Sequence, residues 1–321
     1  MRKVLVTGGA GFIGSHVAEA LLRRGDRVRI LDNLDPFYDP RLKEANLARL
    51  GERDGSLEVM RGDIRDARSV EAAMDGMDAV IHLAALAGVR PSIQRPDEYC
   101  DVNVLGTQRL LDAMKRLGAM PFVFGSSSSV YGGNEKIPFH EDDRVDRPVS
   151  PYAATKRAGE LICSVAHELH GAPLACLRFF TVFGPRQRPE MAIHKFTRMI
   201  HRGEKIPVFG DGKSSRDYTF VSDIVDGVLA ALDRTRGYRI YNLGGSATTS
   251  LIDLIEKIAG RLGKEPRLDF MADQPGDVPR TFADISRAVA ELGYAPKVGV
   301  DEGIARFVDW YREAEAKGEL D

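Results

Sequence analysis

The stretch that most constrains this chain is its opening. Val4-Leu5-Val6-Thr7 is a short apolar, β-branched run, Gly8-Gly9-Ala10-Gly11-Phe12-Ile13-Gly14 follows at once, and Val17, Leu21 and Leu22 then recur at helical spacing. That order reads as strand, glycine turn, helix. Glycines at 8, 11 and 14 let the backbone turn tightly and approach a pyrophosphate, whose charge is favoured by the free amides and dipole of a helix start. A second strand, Arg27-Val28-Arg29-Ile30-Leu31, ends at Asp32, about 20 residues past the loop, where an acid meets an adenosine ribose. Further strands are expected at 57–60, 79–83, 121–124 and 175–180, with helical stretches between them.

Strands that alternate with helices indicate an α/β fold, a Rossmann-type doubly wound parallel sheet in which ligands collect at the carboxyl ends of the strands. Gly8, Gly11, Phe12, Ile13, Gly14, Asp32, Asn33, Asp63, Ile64, Leu83, Ala84 and Ala85 fall on that side as candidate cofactor contacts, although the alanines would serve helix–sheet packing equally well. A carboxylate at 32 repels a 2'-phosphate, so NAD is favoured over NADP. The expected division is a cofactor domain over 1–182, with 217–247 returning to it, and a smaller mixed α/β substrate-binding lobe from 183–216 and 248–321. Residues 34–55 are polar, carry Pro36 and Pro40, and read as a long excursion without assigned chemistry. Residues 96–117 read as one long helix with Asn103 near its start.

Composition removes several alternatives. The 45 Lys and Arg against 47 Asp and Glu leave no global field that would attract nucleic acid or an anionic membrane. Cys100, Cys163 and Cys176 are widely spaced and outside any zinc pattern, so they read as reduced core thiols, with no metal expected. Met1-Arg2-Lys3 runs straight into a strand, and no apolar run reaches membrane-spanning length. A cytoplasmic, unanchored protein is expected.

Two later stretches carry chemistry. Gly125-Ser126-Ser127-Ser128-Ser129-Val130-Tyr131-Gly132 follows the strand at 121–124 and so lies at the carboxyl end of the sheet. Ser150-Pro151-Tyr152-Ala153-Ala154-Thr155-Lys156 opens a helix with Tyr152 and Lys156 on one face. A free phenol has a pKa of about 10, and a fixed ammonium nearby lowers it. Tyr152 is thus a candidate general base.

With TGGAGFIGSH at 7–16, SSSSVYG at 126–132 and YAATK at 152–156, the chain closely resembles the extended short-chain dehydrogenase/reductase family over essentially its whole length. It is more narrowly similar to the NAD-dependent nucleotide-sugar epimerases and dehydratases. The resemblance implies that Tyr152 is the catalytic base, that Lys156 lowers its pKa and bonds the nicotinamide ribose, and that Ser127 is the catalytic hydroxyl. It places Asn103 near the cofactor, a role no better supported than a structural helix hydrogen bond. It also implies a homodimer through helices near 97–117 and 152–170.

The loop Thr181-Val182-Phe183-Gly184-Pro185-Arg186-Gln187-Arg188-Pro189-Glu190-Met191-Ala192 resembles the matching stretch of UDP-glucuronic acid 4-epimerases, which implies that Thr181 and Arg188 face a sugar carboxylate. A planar guanidinium can hold a carboxylate through two parallel hydrogen bonds. The bland alternative is a solvated pair, Arg186 and Arg188, on a polar loop. By resemblance, Met191, Ala192 and Val208 border the UDP-sugar, Arg216 contacts its diphosphate and Asp277 its ribose. UDP-galactose 4-epimerases commonly carry Arg where this chain has Gln274, which weakens that alternative substrate. Dehydratase and decarboxylase relatives place acids just before the Val-Tyr-Gly, where this chain has Ser128 and Ser129. The expected reaction is therefore 4-epimerisation of a UDP-uronate through a 4-keto sugar, with Thr181, Arg188, Ser128 and Ser129 restraining the carboxylate. A UDP-galactose 4-epimerase and a catalytically dead NAD-binding regulator remain as alternatives.

Overall fold

The structure, a computed structural model, describes residues 1–51, 56–272 and 278–320. Its strands are β1 (Lys3–Thr7), β2 (Arg27–Asp32), β3 (Leu57–Arg61), β4 (Ala79–His82), β5 (Phe122–Ser127), β6 (Leu174–Phe179), β7 (Thr181–Phe183), β8 (Lys205–Phe209), β9 (Ser215–Phe220), β10 (Tyr238–Leu243), β11 (Thr248–Ser250) and β12 (Arg267–Met271). Its α-helices are α1 (Phe12–Arg23), α2 (Pro40–Leu50), α3 (Ala67–Met74), α4 (Val89–Gln94), α5 (Pro96–Tyr99), α6 (Gly106–Leu117), α7 (Pro151–His170), α8 (Ala192–Arg202), α9 (Val221–Arg234), α10 (Leu251–Leu262), α11 (Ser286–Leu292) and α12 (Val300–Ala316).

Seven strands form one sheet in the order β3-β2-β1-β4-β5-β6-β10, every neighbouring pair parallel. Burial on both faces explains the near-continuous apolar runs at β1 and β4, whose core residues are fully buried. The order reverses between β1 and β4, and a parallel sheet opens a crevice at the carboxyl ends beside such a reversal. β10, from the second half of the chain, completes this sheet by pairing with β6. Two smaller sheets stand apart: β7-β9-β11, with one parallel and one antiparallel pair, and β8-β12. The α/β, doubly wound architecture expected from the pattern is the observed one. Among the described residues no helix is long and apolar enough to cross a membrane.

Helix α7 shows how local sequence sets this geometry. Ser150 caps its start, its hydroxyl accepting from the Ala153 amide at 3.2 Å, and Pro151 occupies the first turn. Gly171 ends it in a left-handed conformation. In between, Gly159 presses against Phe124 of β5, where a Cβ would stand 2.4 Å from the ring. One turn below Lys156, Glu160 is completely buried and accepts from Arg178 Nε at 2.8 Å, Arg178 Nη2 at 2.9 Å and Ser126 Oγ at 2.7 Å.

Three expectations need correction. Residues 34–55 are not a bare excursion, since α2 fills 40–50 behind an Asp39 cap and a proline start. The expected single helix over 96–117 is interrupted by a π-helical stretch at Cys100–Leu105 between α5 and α6, and α4 precedes it. Cys100 is exposed, so only Cys163 and Cys176 are core thiols.

Removing one partner of a buried pair leaves the other charge uncompensated, at a cost of about 3–5 kcal/mol. Glu160→Ala is accordingly expected to lower the unfolding free energy by about that amount in a denaturant titration. A loss of under about 1 kcal/mol, the range of exposed pairs, would mean that the Arg178 charge is solvated.

Candidate active site

At the carboxyl ends of the parallel strands lies a cavity of about 390 Å³. Its floor is the glycine turn. Gly8 has φ of +71°, and a Cβ there would stand 2.6 Å from the Ala84 amide nitrogen; a Cβ on Gly14 would stand 2.1 Å from the Gly8 carbonyl oxygen. The turn therefore folds as tightly as it does only with hydrogen at both positions. Asp32 is held by the Ala10 amide at 3.0 Å and the Leu34 amide at 2.9 Å, one on each carboxylate oxygen. An ionised carboxylate has about four acceptor sites, so acceptor capacity remains for a ribose. Asp63 takes hydrogen bonds from Asn33 at 2.9 Å and from Arg65, which hold its carboxyl down at about 2, Arg65 contributing most. Gly8, Gly11, Phe12, Ile13, Gly14, Asp32, Asn33, Asp63, Ile64, Leu83, Ala84 and Ala85 all line this cavity. A narrow, glycine-floored slot with a carboxylate at one end fits a dinucleotide.

Asn103 does not line it. Its amide donates to Leu86 O at 2.9 Å and Thr155 Oγ1 at 3.1 Å while its oxygen accepts from the Leu86 amide at 2.8 Å. It fastens the Leu83-to-Ala87 stretch to α7, the structural reading of its position. Above it runs a buried chain whose direction can be read. Thr107 spends its proton on Asn103 O at 2.6 Å, so its oxygen must accept from His82 Nε2 at 3.0 Å. His82 Nδ1 is then an acceptor, and Thr7 Oγ1 donates to it at 2.7 Å while receiving the Ala84 amide at 3.3 Å. Burial pushes the His82 imidazole down to about 3, aided by the Lys156 charge. This neutral imidazole joins the end of β1 to the π-helical stretch.

Tyr152, Ser127 and Lys156 share the cavity wall. Lys156 is 5 % exposed, donates to Gly125 O at 2.7 Å and lies 5.0 Å from the Phe124 ring centre. Burial lowers its ammonium to about 8. The Tyr152 phenol is raised by burial, and the groups that pull it back are a hydrogen bond with Ser127 and the positive charge of Arg188.

Thr181, Ser128, Ser129, Met191 and Arg188 line the same cavity. The Arg186 and Arg188 side chains are only 11 % and 20 % exposed, which removes the reading of a solvated pair. Arg188 pairs with Glu190 at 3.0 Å and lies 5.8 Å from the Phe37 ring centre. Ala192, Val208 and Arg216 lie outside this lining. Ala192 starts α8, Val208 is fully buried in β8, and Arg216 Nη1 donates to Ser215 O at 2.9 Å. Asp277 and Gln274 fall outside the described residues. Phe37, Tyr38 and Lys43 were missed, although all three line the cavity. Lys43 donates to Asp35 O at 2.6 Å and sits 4.7 Å from the Tyr38 ring centre. The available signal was the aromatic pair directly beyond the end of β2.

The family described as the NAD dependent epimerase/dehydratase family matches residues 4–244. A UDP-glucuronate 4-epimerase of Arabidopsis thaliana is 44% identical over 330 residues, covering 96% of this chain and 75% of its own. Another, from Thermodesulfobacterium geofontis, is 41% identical over 315 residues and covers 96% of both chains. The crystal structure of the UDP-glucuronic acid 4-epimerase from Bacillus cereus, in complex with UDP-glucuronic acid and NAD, superposes with a TM-score of 0.92 at 36% identity, covering 97% of this chain and 99% of that one.

The direction of the Thr7–His82–Thr107 chain is testable in the free protein. Nitrogen-15 NMR of the His82 ring is expected to show the neutral Nε2–H tautomer with no titration from about pH 5 to pH 8, the window in which an ordinary histidine changes state. An Nδ1–H tautomer would reverse the chain.

Proposed function

This chain belongs to the NAD dependent epimerase/dehydratase family, and we propose that within it the protein interconverts UDP-glucuronic acid and UDP-galacturonic acid, retaining the carboxylate. The observation that carries this reading is the enclosure of Arg188 and Thr181 in one cavity with Tyr152 and Ser127, where no carboxylic side chain stands at 128 or 129. The full-length likeness to UDP-glucuronate 4-epimerases supports it.

We assign the dinucleotide to the glycine turn, with Asp32 at the adenosine ribose and Asn33, Asp63, Ile64 and Leu83 to Ala85 flanking it. NAD, when bound, takes the hydride from sugar carbon 4 and returns it, so that a 4-keto sugar stands between the epimers. Tyr152 accepts the proton of the 4-hydroxyl as the C–H bond breaks and gives it back to the same oxygen after the keto sugar has turned, so that C4 is reduced on its opposite face. Ser127 holds the reacting oxygen beside the phenol, and Lys156 is assigned to the nicotinamide ribose. Thr181 and Arg188 hold the substrate carboxylate, with Ser128 and Ser129 beside them. A 4-keto uronate is a β-keto acid, so the carboxylate must be kept poorly aligned with the carbonyl π system. The nucleotide is assigned to the lobe formed by 183–216 and 248–321, with Arg216 and Asp277 as its contacts.

We further place the enzyme in the cytoplasm as a homodimer through α6 and α7. Leu161, Val165 and Leu169 make an exposed apolar stripe along α7, with Leu105 exposed at the end of the neighbouring π-helical stretch. Light scattering is expected to give twice the 35.3 kDa chain mass, and Val165→Glu to halve it. A monomeric wild type would remove this assignment.

NMR of the product after incubation with UDP-glucuronic acid is the deciding experiment, with UDP-galacturonic acid expected. A UDP-pentose would indicate a decarboxylase, and turnover of UDP-glucose alone would indicate a neutral-hexose epimerase. Bound NAD without turnover would support the regulator. Arg188→Gln removes a charge that lowers the Tyr152 pKa, and the active base is the deprotonated form. The rising limb of kcat/KM against pH is therefore expected to move to higher pH, with carbon dioxide now released. Clean epimerisation by this variant would refute the carboxylate assignment.

A further inference from the structure

Arg188 does not hold its own position. The loop between β7 and α8 turns at Gly184, with φ of +143°, and again at Arg186, with φ of +67°. A left-handed conformation at a non-glycine residue is strained and persists where the surroundings enforce it. Here they do so from two sides.

On the outer side, Arg186 Nη2 donates to Glu19 Oε2 at 2.6 Å and Nη1 to Ser15 Oγ at 3.3 Å. His16 Nε2 donates to Pro185 O at 2.9 Å. Burial first, then the Arg186 charge, pushes this imidazole down to about 4, so it stays neutral at physiological pH. Arg23 also pairs with Glu19 from one turn further along the helix. On the inner side, Gln187 is buried, donates to Val182 O at 3.0 Å and accepts the His194 amide at 3.2 Å. The Gln187 carbonyl accepts from His194 Nδ1 at 2.6 Å. With 185 to 187 gripped on both faces, the next side chain is Arg188, which lines the cavity. Ser15, His16 and Glu19 all belong to α1, the helix that begins at the glycine turn. One rigid element thus sets both the dinucleotide floor and the loop that carries Arg188.

We propose that Glu19, acting through Arg186 and with His16 beside it, is a positioning residue that aims Arg188 at the substrate carboxylate and so sets the ratio of epimerisation to decarboxylation. The inference rests on the proposed uronate reaction. In the side reaction the bond from C5 to the carboxylate carbon breaks and its electron pair passes into C5–C4, giving the enolate of the 4-ketone. Carbon dioxide leaves, C5 takes a proton, and the hydride already removed from the substrate returns to give the pentose. Nothing further is consumed. The step requires the breaking bond to overlap the carbonyl π system, and a carboxylate held rigidly out of that alignment resists it.

Glu19→Gln keeps the side-chain volume and removes the charge that holds Arg186. The expected result is a melting temperature near that of the wild type, a KM for UDP-glucuronic acid raised about tenfold, as a small misplacement of a binding group can produce, and UDP-pentose with carbon dioxide among the products. Arg186→Gly separates positioning from folding. It relieves the left-handed backbone, so it should fold at least as well and yet release carbon dioxide to a similar extent. Wild-type KM and wild-type product ratio in both variants would overturn the clamp while leaving the epimerase reading intact. A wild type that leaves UDP-glucuronic acid untouched would overturn both.

Discussion

The buried ion pair between Glu160 and Arg178 sets the register on which the catalytic geometry depends. Glu160 projects from α7, Arg178 from β6, and Ser126 at the end of β5 donates to the same carboxylate. Arg178 also donates to Glu141 O at 3.3 Å and lies 4.8 Å from the Tyr131 ring centre. Two strand ends and one helix therefore meet at a single carboxylate, with Tyr152 and Lys156 upstream on that helix and Ser127 next to Ser126. A helix advances about 100° per residue, so a slip of one position would swing the phenol away from the serine. Burial raises the carboxyl pKa, and the hydrogen bonds and charge of Arg178 more than reverse it, so Glu160 stays ionised and the pair intact.

A second consequence concerns what activates Tyr152. Sharing a helical face with Lys156 gives proximity along the helix, yet a long flexible side chain goes where its charge is best satisfied. In this buried setting that partner is the Gly125 carbonyl, while a hydrogen bond with Ser127 and the Arg188 charge oppose the rise that burial imposes on the Tyr152 phenol. Arg188 thereby acts on two things at once. In the proposed reaction it holds the substrate carboxylate and also lowers the pKa of the Tyr152 phenol, so substrate specificity and base strength would share one side chain.

How far the sequence could be read follows from how local each determinant is. The sheet, the glycine turn, Asp32 and the start of α7 were legible because short-range rules govern them: glycine where the chain must turn tightly, short β-branched apolar runs and helical apolar spacing. The serines at 127 to 129 could be placed at a strand end from their position, but their individual roles, like those of Thr181 and Arg188, were readable only through resemblance. Illegible were the features made by distant partners. For Asn103 a cofactor contact and a structural hydrogen bond were equally open in the sequence, and its amide is bonded to Leu86 and Thr155. Phe37, Tyr38 and Lys43 belong to a polar stretch whose helix α2 has an apolar face too weak to announce itself, with Lys43 and Asn46 among its buried residues. Arg186 and Glu19 lie 167 positions apart, and no local pattern joins them.

That separation explains why one oxidation can lead to different products on one scaffold. Abstraction of the 4-hydroxyl proton depends on α7, β5 and β6, which are bound together by buried, mutually satisfied hydrogen bonds; altering any of them costs folding free energy as well as rate. In the proposed reaction the fate of the 4-keto sugar depends on a separate loop, held to α1 through Arg186 and to α8 through Gln187. Its side chains can change with little cost to the sheet. A mobile carboxylate samples the orientation in which its bond to C5 overlaps the carbonyl, and each such encounter can release carbon dioxide irreversibly. Suppressing that loss demands rigidity of the loop more than any additional reactive group. In the proposed clamp that rigidity comes from the left-handed backbone at Arg186, tied to Ser15 and Glu19 of the helix that also floors the dinucleotide slot.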